Sequence, residues 1–242
     1  LYAQSGGVTS VINTTAAGVI ETARASNEIG KVYAGKNGIS GILKEELVDT
    51  SLESDNQINF LKYTPGGVFG SCRYKLKDPN EDPTQYLRLL DVFKSHNIGY
   101  FLYNGGGDSQ DTTNKIASFT KKSGFPVQCI GIPKTVDNDL PFTDNCPGFG
   151  SVAKYIATST QEAALDVKSM ADTSTKVFIM EVMGRHAGWI AASSSLAAVE
   201  KNDPPHIILL PEIRLSKTKF INKVKRTVLD NGYCVIVVSE GL

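Results

Sequence analysis

The sequence has no long apolar run, no excess of either charge and no paired cysteines, and each absence removes a class of protein. No apolar run approaches the ~18 residues that a helix needs to span a bilayer, so no membrane partner is expected. The 25 basic residues match the 25 acidic ones, and a chain without a basic excess gives no reason to expect nucleic acid. The four cysteines, Cys72, Cys129, Cys146 and Cys234, are scattered with no C-x-x-C pair, in a chain too long for a small disulfide scaffold. Reduced thiols and a cytoplasmic location are therefore expected. There is no signal peptide pattern, no internal repeat, no low-complexity segment, no acyl-transfer triad and no His/Cys metal cluster. Asn13-Thr14-Thr15 matches a glycosylation acceptor, a pattern common enough to arise by chance.

What is present suits a large globular core. The 242 residues are 41% apolar, enough for one or two domains at roughly 100–200 residues each. Short, nearly all-apolar runs at Gly99–Tyr103, Val127–Ile132, Val177–Val182, His206–Leu210 and Tyr233–Ser239 read as strands covered on both faces. Helical stretches alternate with them at Val8–Ala25, Tyr86–Ser95, Gln110–Lys121, Val152–Met170, Ala187–Glu200 and Lys217–Leu229. That alternation predicts α/β architecture with parallel sheets and helices on both faces. The polar stretches Ser51–Asn59 and Lys75–Asp82 read as surface loops. Proline and glycine cluster at Cys146–Gly150, which divides the chain into expected domains 1–150 and 151–242. Leu1-Tyr2-Ala3 reads as the end of a strand already under way and Tyr233–Ser239 as another strand, so a piece of a longer chain is expected.

In an open parallel sheet, ligands bind at the carboxyl ends of the strands, and four loops there carry chemistry. Gln4-Ser5-Gly6-Gly7, followed by a helix, and Asn104-Gly105-Gly106-Gly107-Asp108-Ser109, between a strand and a helix, have the glycines and amides of anion cradles. The second is neither a P-loop nor a dinucleotide fingerprint. Gly131-Ile132-Pro133-Lys134-Thr135-Val136-Asp137-Asn138-Asp139 sets two carboxylates beside a Lys and a Thr. One carboxylate can serve as general base toward an alcohol, and the other can hold Mg²⁺ or tune the first. Met183-Gly184-Arg185-His186-Ala187-Gly188 offers an Arg, suited to bidentate phosphate contact, at a helix start. His186 reads as structural or solvent-facing. Together these loops point to phosphoryl transfer to an alcohol, where positioning and electrostatics dominate.

With these residues in view, the chain resembles the 6-phosphofructokinase family over essentially its whole length. Gly6-Gly7 with Asn13, Gly66-Gly67-Val68-Phe69-Gly70-Ser71-Cys72-Arg73, Pro133–Asp139, Met183-Gly184-Arg185 and Pro211-Glu212 resemble that family's motifs in order. The resemblance implies two Rossmann-like domains with mainly parallel sheets, an incomplete phosphate-donor domain followed by a truncated sugar-phosphate domain. The family's C-terminal part, which completes the first domain and supplies basic residues for the 6-phosphate, lies beyond Leu242. ATP-using members read Gly-Gly-Asp-Gly-Ser in the second loop and carry Gly before the catalytic Thr, whereas this chain has Asp108 and Lys134 there. That combination is similar to the pyrophosphate-using members. A carboxylate at Asp108 repels the α-phosphate side of ATP, and Lys134 gives positive charge to compact pyrophosphate.

The resemblance therefore implies reversible transfer from pyrophosphate to the 1-hydroxyl of fructose 6-phosphate, with Mg²⁺. An ATP-dependent kinase and a non-catalytic or regulatory subunit of the same fold are the alternatives. By motif, Asp137 is the general base, Asp139 orients the hydroxyl, Thr135 holds the sugar phosphate or the transferring group, and Arg73 stabilises transition-state charge. Gly6, Gly107, Asp108 and Lys134 line the pyrophosphate site. Met183, Gly184, Arg185 and Glu212 bind fructose 6-phosphate together with Thr135, Asp137 and Asp139. Lys176 stands where many members carry an Arg that reaches a neighbouring subunit's sugar phosphate. Many members also have a Mg²⁺-contacting Asp at the position of Gly107, which leaves Asp108 as the metal-ligand candidate. A homo-oligomer, dimer or tetramer, is implied too.

Overall fold

The structure, a computed structural model, describes residues Leu1–Leu242. They form two compact units, Leu1–Lys134 and Thr135–Leu242. Segment 135–150, which the composition places with the first domain, falls in the second unit, where Val136 and Phe149 pack against Ile156, Val182, Ile190 and Val237.

The first unit runs β1 (Tyr2–Gln4), α1 (Ile12–Arg24), β2 (Tyr33–Gly35), α2 (Gly38–Leu43), β3 (Leu47–Asp49), α3 (Asp55–Phe60), α4 (Thr84–Ser95), β4 (Tyr100–Gly105), α5 (Gly107–Lys122) and β5 (Gln128–Pro133). Its sheet order is β3-β2-β1-β4-β5, parallel except for the antiparallel β2–β3 pair. In α4, Tyr86, Leu89, Leu90 and Phe93 are buried at i, i+3, i+4 and i+7, the spacing of a single helix face. They close the main core with Ile39, Ile42, Phe101, Tyr103 and Ile116. Phe93 and Phe101 are fully buried, and burial of each side chain contributes about 1.5–3 kcal/mol. On the opposite face, Ala17 and Ile20 of α1 pack with Val32, Ile58 and Leu61.

The second unit runs α6 (Phe149–Met170), β6 (Val177–Val182), α7 (Trp189–Ser193), β7 (Ile207–Leu209), α8 (Lys217–Asn231) and β8 (Cys234–Ser239). Its sheet is fully parallel in the order β6-β8-β7. Central β8 shows the period of two that a strand imposes. Cys234 and Ile236 pack toward Phe220, Val224 and Val228 of α8, while Val235 meets Ala164 and Val167 of α6 on the other face. All four cysteines are unbonded. Burial pushes the Cys129 thiol up to about 11 and raises that of Cys234, so neither is a thiolate at neutral pH. No helix is long and apolar enough to cross a membrane.

Several elements differ from expectation. The first helix starts at Ile12 rather than Val8, so the Gly6-Gly7 loop does not sit on its N-terminus. Ser51–Asn59 is not simply a loop. Ser54 and Gln57 form a reciprocal capping box that starts α3, satisfying two donors at once. The helix expected over Ala187–Glu200 is only Trp189–Ser193 followed by a 3-10 turn to Ala197. There the Ser193 and Ser194 hydroxyls bond back to the carbonyls of Ile190 and Ala191, a local pairing that competes with helix propagation.

Candidate active site

In the first sheet the chain leaves β1 toward β2 on one side and β4 on the other, so the strand order reverses between β1 and β4. The loops after these two strands face one another at such a point. They are Ser5-Gly6-Gly7 and Gly106-Gly107-Asp108-Ser109, joined where the Ser109 hydroxyl donates to Ser5 Oγ at 2.8 Å. The Ser5 amide donates to Asn104 O at 2.8 Å, and the Gly6 amide donates to Cys72 O at 2.9 Å. Gly6 has φ +75°, a left-handed turn that a side chain would strain.

These loops enclose a cleft of about 360 Å³, also lined by Arg73, Lys75 and Lys134. Lys134 is tied in twice: its amide donates to Gly105 O at 3.0 Å and its ammonium donates to Gly7 O. The Arg73 guanidinium lies over the first loop, 3.6 Å from where a Cβ on Gly7 would stand. Helix α5 begins at Gly107, capped by Gly106 without a side-chain bond. The Ser109 and Gln110 amides donate to Gly106 O at 3.0 and 3.1 Å, which leaves the Gly107 and Asp108 amides ahead of the first helical bonds, beside the cleft at the positive end of the helix dipole. Gly6, Gly107, Asp108, Lys134 and Arg73, separate motifs in the sequence, thus line one cleft. Behind it, burial holds the Tyr103 phenol neutral, well above its ordinary range.

Thr135, Asp137 and Asp139 form a compact loop in the second unit. The Thr135 hydroxyl donates to Asp139 Oδ1 at 2.9 Å and accepts the Asp137 amide at 3.1 Å. Asn138 sits between the carboxylates, buried, in the left-handed region at φ +57°. Its Oδ1 accepts the Cys146 amide at 2.7 Å and its Nδ2 donates to Asp144 O at 3.2 Å. The amide thus fixes the shape of the acidic loop. Sequence reading assigned Asn138 no role, although Asn is the residue type that tolerates this backbone region.

The parallel second sheet brings the loops after β6, β7 and β8 to one edge. Glu212 accepts the Gly188 amide at 2.7 Å at the start of α7, and the Ser239 hydroxyl donates to Gly184 O. Gly184 has φ +117°, and a Cβ there would lie 2.4 Å from Ala187 O. Met183, Gly184, Arg185 and Glu212 are therefore gathered, with Met183, Arg185 and Glu212 exposed. Lys176 is not among them. It precedes β6 and donates to Ala171 O, one six-residue strand, or about 20 Å, from Met183.

No group of three His, Cys, Asp or Glu side chains converges as a metal site. Asp108 is exposed and its Oδ1 is 3.6 Å from Lys75 Nζ, which is one carboxylate rather than a protein-built cage. These residues suit a Mg²⁺ that arrives largely on phosphate oxygens and water, as Mg²⁺ commonly does. Lys75 is the residue missed by sequence reading. The Arg73-x-Lys75 spacing was the available signal, since residues two apart share a side when a segment runs extended.

The phosphofructokinase family profile matches residues 1–242. The chain belongs to the phosphofructokinase family. A Halomonas elongata protein named pyrophosphate–fructose 6-phosphate 1-phosphotransferase is 61% identical over 241 residues, covering 99% of this chain and 58% of that protein. One of the same name from Methylococcus capsulatus is 58% identical over 242 residues, again 58% of its length. The crystal structure of a pyrophosphate-dependent phosphofructokinase from Marinobacter aquaeolei matches with TM-score 0.90 and 65% identity, covering 99% of this chain and 59% of that one. The chain spans under two thirds of the length of these family members. The fold is the family's α/β architecture with mostly parallel sheets.

Proposed function

We propose that this chain carries the donor and acceptor loops of an enzyme that transfers a phosphoryl group from pyrophosphate to the 1-hydroxyl of fructose 6-phosphate. The observation that carries the reading is the cleft where Gly6, Gly107, Asp108, Lys134 and Arg73 meet. Its size and cationic lining suit a small, highly charged donor, and the Asp108 carboxylate disfavours the α-phosphate of ATP. The names of the relatives at 58–61% identity support the same donor.

Phosphoryl transfer demands positioning and charge stabilisation more than covalent help from the protein. In this reading the Gly107 and Asp108 amides, the Gly6 loop and Lys134 bind pyrophosphate. Asp137 takes the proton from the 1-hydroxyl as that oxygen attacks the terminal phosphorus. The bridging P–O bond breaks and phosphate leaves. Asp139, held by Thr135, orients the hydroxyl, and Arg73 stabilises the charge of the transferring group. Met183, Gly184, Arg185 and Glu212 hold the sugar phosphate. Lys176, at the far end of β6, belongs to a site shared with a neighbouring subunit in a homo-oligomer. Asp108, the carboxylate of the cleft lining, would help to hold a Mg²⁺ ion, which would supply charge neutralisation to the donor. A cytoplasmic location fits the unbonded cysteines.

The test is fructose 1,6-bisphosphate formation with Mg²⁺, pyrophosphate and ATP run side by side, on these 242 residues and on the product of the native open reading frame. Turnover with pyrophosphate alone is expected. Turnover with ATP alone refutes the donor assignment and leaves the role of Asp137 standing. Fructose 6-phosphate binding without turnover on either donor favours a non-catalytic subunit.

A further inference from the structure

Lys75 belongs to no motif of the proposed reaction, yet it lines the donor cleft and faces Asp108 at 3.6 Å. The cations of the cleft are unevenly spread. Arg73 and Lys134 both lie against the Gly6-Gly7 loop, Lys134 bonded to Gly7 O and Arg73 beside Gly7. On the α5 side the charged groups are Asp108 and Lys75. A donor with two phosphates needs positive charge at both, and an exposed carboxylate at one end opposes binding unless a cation offsets it. Lys75 is the side chain placed to do both.

We propose that Lys75 is a donor-binding residue, held on Asp108 in the free protein and transferred to a phosphoryl oxygen when pyrophosphate enters. The inference rests on reading this cleft as the pyrophosphate site. The two side chains are 69% and 84% exposed, and an ion pair so exposed is weak and readily exchanged. An ammonium–phosphate bond is charge-assisted and stronger. Lys75 thus keeps Asp108 available as a barrier to ATP while removing the penalty that Asp108 imposes on the smaller donor.

The test uses the protein expressed from its native open reading frame, with Mg²⁺. In Lys75→Met, KM for pyrophosphate is expected to rise roughly tenfold, the size of one lost charge-assisted bond, while KM for fructose 6-phosphate stays unchanged. Lys75→Arg keeps the charge and restores most of the affinity. Calorimetric titration with pyrophosphate follows the same order independently of turnover. An unchanged KM and unchanged pyrophosphate binding in Lys75→Met overturn the inference, as does a loss confined to fructose 6-phosphate. A parent protein that turns over with ATP and binds no pyrophosphate overturns the donor reading itself, and this inference with it.

Discussion

Asn138 and Gly184 show how single residues hold loops whose chemistry lies in their neighbours. Replacing Asn138 with Ala leaves the buried Cys146 amide without its acceptor and puts a Cβ residue without a polar tether at φ +57°. The expected cost is about 2–3 kcal/mol, read as a lowered denaturation midpoint, with turnover falling further because Asp137 and Asp139 lose their spacing. Asn138→Gly keeps the backbone region free of strain while deleting the side-chain bonds. A smaller stability loss with the same activity loss separates the clamp from the backbone. Gly184→Ala forces a Cβ to 2.4 Å from Ala187 O at φ +117°. About 2 kcal/mol of destabilisation is expected, and, under the proposed function, fructose 6-phosphate affinity should fall as the Met183–Arg185 loop shifts. An Ala variant as stable as the parent would show that this loop yields freely.

Elements were legible in the sequence to the extent that they carried a period. The run ending in β8 is buried from Cys234 to Val237 and announced itself as a two-sided strand. The α6 helix buries Ala153, Ile156, Thr160, Ala164 and Val167 at helical spacing. Strands β2 and β3 are three residues each, too short to show alternation, and pair antiparallel in an otherwise parallel sheet. The loops of the site stood out because glycines followed apolar strands. Lys75 did not, since a lysine beside a cleft reads as any surface lysine. The tie between β7 and β8 was invisible for a similar reason. His206, just before β7, accepts the Val235 amide on Nδ1 at 2.9 Å and meets the Tyr233 ring edge-on at 5.0 Å. Burial pushes its pKa below the ordinary 6.5. The unfolded chain then binds more protons than the folded one as pH falls through about 6.5, so stability is full above that value and declines below it. The thermal midpoint is expected to drop between pH 8 and pH 5. His206→Asn offers an amide oxygen to the same N–H without titrating, and should flatten that drop. Equal pH dependence in both proteins would assign the decline to other groups.

At the scale of the whole chain, both sheets end in strands with open edges. Strand β5 closes one side of the first sheet and β6 one side of the second. Each exposes an isoleucine, Ile130 at 49% and Ile179 at 56%. An open edge with apolar side chains is a template for pairing with another chain. The 242 residues are therefore expected to self-associate as concentration rises, measured by light scattering on a size-exclusion column. Ile130→Lys and Ile179→Lys each put a charge on one edge and should reduce that association. Both substitutions alter an exposed side chain, so the folded core should keep its circular dichroism. If only one of them acts, the association runs through that edge. If neither acts, the contact lies elsewhere on the surface, and the exposed isoleucines are isolated apolar residues of the kind every protein surface carries.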